Sequence, residues 1–251
     1  MLKRLRPYLD GLLAEPTVII CGASALLVIS HYQGAAGYFR TLVGTRFDSH
    51  PANAAFGHLW WFASSLFLYL VMPLVLSKAT KGSFHRAYGL GLGDWRAGLK
   101  ISALFLAVML PAVVVASKLA AFKGIYPLAG NGAFMLSEGG KATPSLKLFL
   151  VYEMGYLLYF VGWEFLFRGW MLNGLLPTFG RAGAILIQVA PFAIMHLGKA
   201  ELEALGSIIA GVALGVLALR TRSFWYGAFI HGVVAVFMDV ITVGPQLTAG
   251  P

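Results

Sequence analysis

Cysteine occurs once in the 251 residues, at Cys21 inside an apolar run, so neither a disulfide nor a cysteine-based zinc site can form within the chain. Charge is scarce as well. Asp, Glu, Lys and Arg make up 12% of the residues, about half the share usual in soluble domains. An HExxH zinc motif is missing, because His196 is followed by Leu197, Gly198 and Lys199. These shortages exclude a disordered chain, a disulfide scaffold and a nucleic-acid-binding domain with a basic face. The net charge of +9 arises from basic residues bunched in short stretches between apolar runs, the pattern of a membrane protein with basic cytoplasmic loops.

Hydrophobic residues make up 59% of the sequence and fall into seven stretches. They run from Thr17 to Gln33, Phe56 to Ser77, Leu99 to Leu119, Leu148 to Leu176, Ala182 to Leu197, Ala204 to Leu219 and Ser223 to Val243. A spanning helix needs about 20 residues, so the fold class is all-α, a polytopic bundle of about seven transmembrane helices. The fourth stretch is too long for an upright span and is expected to tilt or protrude. Asp10 and Glu15 interrupt the approach to the first stretch, which reads as a retained helix rather than a signal peptide. No internal repeat or long linker divides the chain. Residues 1–251 read as a single integral membrane domain, with 34–55 and 121–147 as loops that have room for structure of their own.

Basic residues orient the bundle. An inside N-terminus places eleven on the cytoplasmic side, among them Lys3, Arg4, Arg6, Lys78, Arg96 and Arg220, against seven on the other. The expected location is the cell membrane, multi-pass, with a cytoplasmic N-terminus. In the sixth stretch Ser207, Gly211 and Gly215 form a small-residue face suited to close helix packing.

Ionisable groups within spans are costly, and each is a functional candidate. The fourth stretch holds Glu153, Glu164 and Arg168, the fifth ends on His196, the sixth begins after Glu201 and Glu203, and the seventh holds His231 and Asp239. Glu164 and Arg168 are four residues apart and share a helix face. At about 1.5 Å per residue Glu164 lies roughly 18 Å, His196 roughly 22 Å and His231 roughly 12 Å from the cytoplasmic end of their spans, a common level near the midplane. Bland alternatives exist for each: a structural ion pair for Glu164 with Arg168, and a hydrogen-bonded core residue for either histidine. Matched depth favours a site. Glu153 reads as a neutral, hydrogen-bonded acid near the outer water layer, and Tyr152, Tyr156 and Tyr159 as packing.

Two protease-like strings are decoys. Gly91-Leu92-Gly93-Asp94 matches a GxGD pattern, but Asp94 sits in a basic loop with no second aspartate for a dyad. Gly22-Ala23-Ser24 has no histidine placed to act as its base.

Three further strings carry a resemblance: Trp163-Glu164-Phe165-Leu166-Phe167-Arg168-Gly169, Phe192-Ala193-Ile194-Met195-His196, and Ile230-His231. In order on apolar helices, they resemble the EExxxR, FxxxH and HxxxN motifs of the CAAX-protease and bacteriocin-processing (CPBP, or Abi) family of intramembrane endopeptidases. The resemblance covers about residues 85–240, a protease-like core. This chain departs from the pattern at two places. Trp163 stands where the family has the glutamate it uses to activate water, and Ala235 stands where it has asparagine. Asp239 lies one turn beyond Ala235 on the same face.

The resemblance implies an intramembrane endopeptidase acting on a membrane-anchored protein or peptide, with the lipid bilayer as partner and no nucleic acid. In this reading Glu164 is the general base on water, His196 helps bind the water, and His231 donates to the oxyanion. Arg168 restrains Glu164, and Asp239, which orients an imidazole, and Glu203 support the site. No cofactor is favoured. A zinc site built from Glu164, His196 and His231 is the alternative, since two imidazoles and a carboxylate form a known catalytic ligand set. The competing functions are an inactive relative serving as membrane scaffold or immunity protein, and a small transporter using the polar cluster as an ion site. The odd span count and the missing inverted repeat stand against transport.

Overall fold

A computed structural model describes residues 14–43, 52–79, 88–138 and 141–248. The basic N-terminal residues Lys3, Arg4 and Arg6, along with Asp10 and the start of the 85–240 core, lie outside the described residues. The chain is a bundle of membrane-length helices, as its composition requires. Helix α1 (Glu15–Ile29) runs on through a π-helical turn, Ser30–Gly34. A short α2 (Ala36–Val43) follows, then α3 (Asn53–Leu66), which passes through a second π turn, Phe67–Val71, into α4 (Met72–Ala79). Helix α5 (Trp95–Ala116) leads to a loop holding α6 (Ala120–Lys123), a 3-10 turn (Asn131–Phe134) and a two-stranded hairpin. In that hairpin β1 (Met135–Glu138) pairs antiparallel with β2 (Lys141–Pro144), Met135 opposite Pro144. The 121–147 loop thus has structure of its own.

Helix α7 (Leu146–Glu164) continues through a third π turn, Phe165–Met171, into α8 (Leu172–Ile194). Helices α9 (Glu201–Thr221) and α10 (Trp225–Thr248) complete the chain. Among the described residues six helical segments are long and apolar enough to cross a membrane. The count differs from the seven stretches in the sequence because the fourth and fifth form one segment of 49 residues, Leu146–Ile194. A straight helix of that length would extend roughly 73 Å, more than twice the hydrocarbon core. It is not straight. Gly180 breaks it with φ 65° and ψ −179°, a conformation essentially reserved for glycine. Trp163 and His196 consequently meet with ring centroids 5.9 Å apart, although 33 residues of straight helix would separate them by roughly 50 Å. The segment is a hairpin of two arms, and this reversal brings the first two motifs together.

Packing closes around these arms. Gly211 and Gly215 on α9 lie against Val189, Phe192, Gln188 and Ile185 of α8, close enough that an added Cβ at Gly211 would stand 3.0 Å from Val189. Gln188 donates to the Gly211 carbonyl at 3.1 Å. The small-residue face therefore does the architectural task its spacing suggests. Tyr156 stacks on Phe62 of α3 with centroids 4.8 Å apart, which makes the tyrosine series of α7 packing.

The GxGD string is a clamp at one end of the bundle. Asp94 caps α5 by accepting from the Ala97 N–H at 3.1 Å, and it pairs with Arg220 at 2.9 Å. The Asp94 N–H donates to the Thr221 carbonyl at 2.9 Å, while Tyr226 donates to the Leu92 carbonyl at 2.7 Å. The loop before α5 is thereby tied to the turn that leads into α10.

Candidate active site

The site is assembled at the end of α7. Glu164 is its last α-helical residue, and the π turn that follows carries Arg168. A π turn widens the helix and releases carbonyls from the regular ladder, a distortion frequent at functional sites. Asn173 restores the lost bonds: its side-chain amide donates to the carbonyls of Arg168 at 2.8 Å and Gly169 at 2.9 Å. Sequence reasoning missed Asn173. An amide one turn past a motif arginine is the signal that could have found it.

Glu164 and Arg168 are both fully buried, and the guanidinium Nη1 donates to Glu164 Oε1 at 2.9 Å. His231 reaches the same oxygen from α10, with Nδ1 at 2.7 Å. Its ring is stacked on Phe160, centroids 4.8 Å apart and 17° from parallel. Since Nδ1 faces the carboxylate, Nε2 is the nitrogen left for other partners. The imidazole retains 20% side-chain exposure where Glu164 has none. Glu164, expected to act as the general base on water, is thus closed off from the surface. Helix α7 buries the carboxylate completely, and the imidazole is the exposed end of the pair.

His196 lies in the turn after α8. Its Nδ1 donates to the Phe192 carbonyl at 2.7 Å, so the neutral ring presents an unprotonated Nε2. Phe192 links the two histidines: its ring lies 4.6 Å from His196 and 6.0 Å from His231, and the Arg168 guanidinium sits 4.0 Å from its centroid. Trp163 stacks on Tyr159 and turns an edge towards His196, its indole N–H buried without a hydrogen-bond partner. Glu164 Oε2 and Arg168 Nε and Nη2 also lack hydrogen bonds.

Gly227 makes the arrangement possible. A Cβ built there would stand 2.5 Å from Glu164 Oε2 and 3.1 Å from its carboxyl carbon. Four residues before His231, on the same face of α10, glycine is what lets the two helices close on the carboxylate. The sequence reading missed it too, since one glycine among 30 gives no signal without the fold.

Two supporting residues belong elsewhere. Asp239 is fully buried with neither carboxylate oxygen hydrogen-bonded, so it orients no imidazole. Eight residues along α10, it has moved a full two turns away from His231. Glu203 accepts from Tyr126 at 2.7 Å and lies 4.0 Å from Lys199, in a separate cluster beside the 117–145 loop. Glu153 is buried and lacks the hydrogen bond the sequence suggested. As for metal, no three His, Cys, Asp or Glu side chains among the described residues are grouped to hold an ion.

Comparison with known proteins finds no matching curated protein and no matching solved structure. Comparison with protein families finds one match, over residues 145–237, to the family described as type II CAAX prenyl endopeptidase Rce1-like. The matched segment contains Glu164, Arg168, His196 and His231 and stops short of Asp239. Residues 145–237 of this multi-pass, all-α membrane protein thus match the Rce1-like family model, consistent with the CAAX-protease and bacteriocin-processing family that the motifs resemble.

Proposed function

We propose that this protein is an intramembrane endopeptidase that hydrolyses a membrane-anchored protein or peptide with a water activated by the Glu164–His231 pair. One observation carries the reading: a buried Arg168–Glu164–His231 chain, 2.9 and 2.7 Å in its two links, ends on a part-exposed imidazole. A carboxylate behind an imidazole fixes its tautomer and stabilises the imidazolium formed when it takes a proton. In the proposed step His231 Nε2 accepts one proton of water as the water oxygen attacks the peptide carbonyl carbon. The imidazolium then returns that proton to the departing amide nitrogen, and the C–N bond breaks. Glu164 stays ionised throughout, held by Arg168. The free Nε2 of His196 accepts the water's other hydrogen and aligns its lone pair. The action of Glu164 thus passes through His231, and the mechanism remains free of metal.

A second reading has one observation in its favour. Trp163 fills the position of a motif glutamate and packs on His196, which suits a relative that binds a peptide without cutting it. Glu164→Gln separates the two, because it keeps the shape of the side chain and removes its charge. On the peptidase reading the variant folds and captures substrate, and terminal proteomics of membranes shows loss of the cleaved ends that wild-type protein produces. Wild-type cleavage by Glu164→Gln would reduce Glu164 to a structural role. Absence of cleaved ends with wild-type protein, together with function that survives Glu164→Gln, His196→Ala and His231→Ala, would leave the binding reading.

A further inference from the structure

The clamp that ties Gly91-Leu92-Gly93-Asp94 to the turn after α9 also gathers charge, and the proposed hydrolysis makes no use of it. Three membrane-length segments end there: those of α5 and α10 start at Trp95 and Trp225, and that of α9 stops at Thr221. Contacts hold the ends together. The Asp94 N–H donates to the Thr221 carbonyl at 2.9 Å, and a Cβ at Gly93 would stand 3.2 Å from the Arg222 carbonyl oxygen. Arg220 pairs with Asp94 at 2.9 Å while its side chain stays 60% exposed. Arg222 follows in the left-handed conformation, φ 57°, and is exposed as well.

Helix α5 adds to this surface. Gly98 lies against the Tyr226 ring and Ser102 is buried, so that face of α5 is turned to the bundle. Residues two before and two after Gly98 lie nearly opposite it round the helix, which turns Arg96 and Lys100 outwards, and both are exposed. The Arg96 guanidinium lies 5.5 Å from the centroid of the Trp95 ring. Leu92, Trp95 and Leu99 rim the cations with apolar side chains 62%, 53% and 52% exposed. The joint thus carries four cations and one carboxylate. Among the described residues Arg96, Lys100 and Arg222 have no carboxylate partner. Arg220 gives one guanidinium nitrogen to Asp94 and keeps further N–H donors for a second acceptor.

We propose that Arg96, Lys100, Arg220 and Arg222 bind the headgroups of anionic phospholipids in the leaflet that meets the clamp, with Trp95 and Leu99 against the acyl chains. Where spans end, one side of the joint meets water and the other hydrocarbon. Long basic side chains can lay their stems along the apolar surface there and reach phosphate with their heads, and guanidinium matches phosphate in shape and charge. A soluble anion would meet the cations and leave the exposed tryptophan and leucines unused. Bound lipid would bridge α5 and the α9–α10 turn, bracing the joint from which α10 carries His231 to Glu164. The inference stands apart from the endopeptidase reading, because lipid binding requires no cleavage.

The test titrates phosphatidylglycerol, or phosphatidylcholine as the zwitterionic counterpart, into the full chain in a non-ionic detergent and follows thermal unfolding. Phosphatidylglycerol should raise the melting temperature of wild-type protein by several degrees and phosphatidylcholine should not. Each basic residue near an anionic surface contributes roughly fivefold in affinity, so Arg96→Gln, Lys100→Gln and Arg222→Asn together should raise the half-effect concentration roughly a hundredfold. Arg220 is left in place to preserve the clamp, and asparagine tolerates the left-handed backbone at 222. The control removes the same charge beyond the far end of α5, at the exposed Lys118, Lys123 and Lys147, and should titrate like wild type. Equal shifts with the two lipids, or equal losses in the patch and control variants, would overturn the proposal. So would the same shift with inorganic phosphate or polyglutamate, which would assign the patch to a soluble anion or an acidic protein. A second readout needs no variant: from an equal mixture, wild-type protein should retain phosphatidylglycerol over phosphatidylcholine in native mass spectrometry, and equal retention would refute the headgroup preference.

Discussion

Gly227→Ala adds one methyl group at the point where α10 crosses the buried carboxylate. The new Cβ would stand 2.5 Å from Glu164 Oε2, 3.1 Å from Cδ and 3.5 Å from Cγ. Carbon does not approach carboxylate oxygen that closely, so something must move. Glu164 cannot swing freely, because its Oε1 is held by Arg168 at 2.9 Å and His231 at 2.7 Å. Either the helices part or the pair opens. Overpacking of this kind typically costs about 1–3 kcal/mol, and a misplacement of roughly 1 Å at a reacting group can cost about a hundredfold in rate. The variant should lose several degrees of thermal stability and most of its cleavage. Gly206→Ala is the control, since a Cβ there meets nothing within 4 Å on α9, and replacing an open helical glycine typically gains about 1 kcal/mol. Glu164→Asp shortens the carboxylate, so combining it with Gly227→Ala should recover more stability than the sum of the single effects allows. The measurements are melting curves in detergent and cleavage by purified protein. Wild-type stability and rate in Gly227→Ala would show that α10 and α7 are not closed on each other, and the site geometry would have to be abandoned.

Arg168→Ala leaves the buried Glu164 with His231 alone and should cost about 3–5 kcal/mol, seen as poor expression and a lowered melting temperature; normal stability would show that the pair is dispensable. Asp94 gives a pH dependence at the membrane edge. The Ala97 N–H first and Arg220 second hold its carboxyl below the ordinary value, so its contribution is present above the unfolded pKa and is lost as pH falls through the folded one. Acidification below about pH 4 should therefore weaken wild-type protein more than Asp94→Asn, and equal acid sensitivity would show that the cap does not contribute. Chelation with phenanthroline should leave cleavage unchanged if water is activated by His231. Inhibition reversed by added zinc would replace the proposed mechanism with metal-assisted hydrolysis.

The bundle was legible because apolar runs of spanning length can do little else in a membrane, and the observed helices begin and end within a few residues of most of those runs. Glu164 with Arg168 was legible from four-residue spacing, and His231 from its depth. What the sequence withheld depends on contacts between elements. Depth arithmetic brings Asp239 near the same level as His196, but a level is a plane, and Asp239 is fully buried without a hydrogen bond to either imidazole. Glu203 likewise stands at a helix start whose neighbour, Tyr126, arrives from a loop with no periodic pattern. Gly227 and Asn173 act by letting something approach or by catching freed carbonyls, roles that leave no trace in composition. The water-facing role assigned to Glu164 gave way for a similar reason, since exposure depends on which helix closes over a side chain.

Unpaired polar atoms show where the bundle departs from what its stability requires. Among the described residues, twelve buried side-chain nitrogen and oxygen atoms lack a hydrogen bond, and eight of them belong to Glu153, Trp163, Glu164, Arg168 and Asp239. Other buried groups do find partners: Ser77 accepts from Trp170 at 2.8 Å, and Thr221 donates to the Leu217 carbonyl at 2.8 Å. In a hydrocarbon surround each unsatisfied group costs several kcal/mol, so their concentration on α7, its π turn and α10 marks a region that folding alone would not select. At its centre the Arg168–Glu164–His231 chain presents a part-exposed imidazole backed by a buried carboxylate, so the polar atoms that folding would not select gather where the proposed hydrolysis needs them.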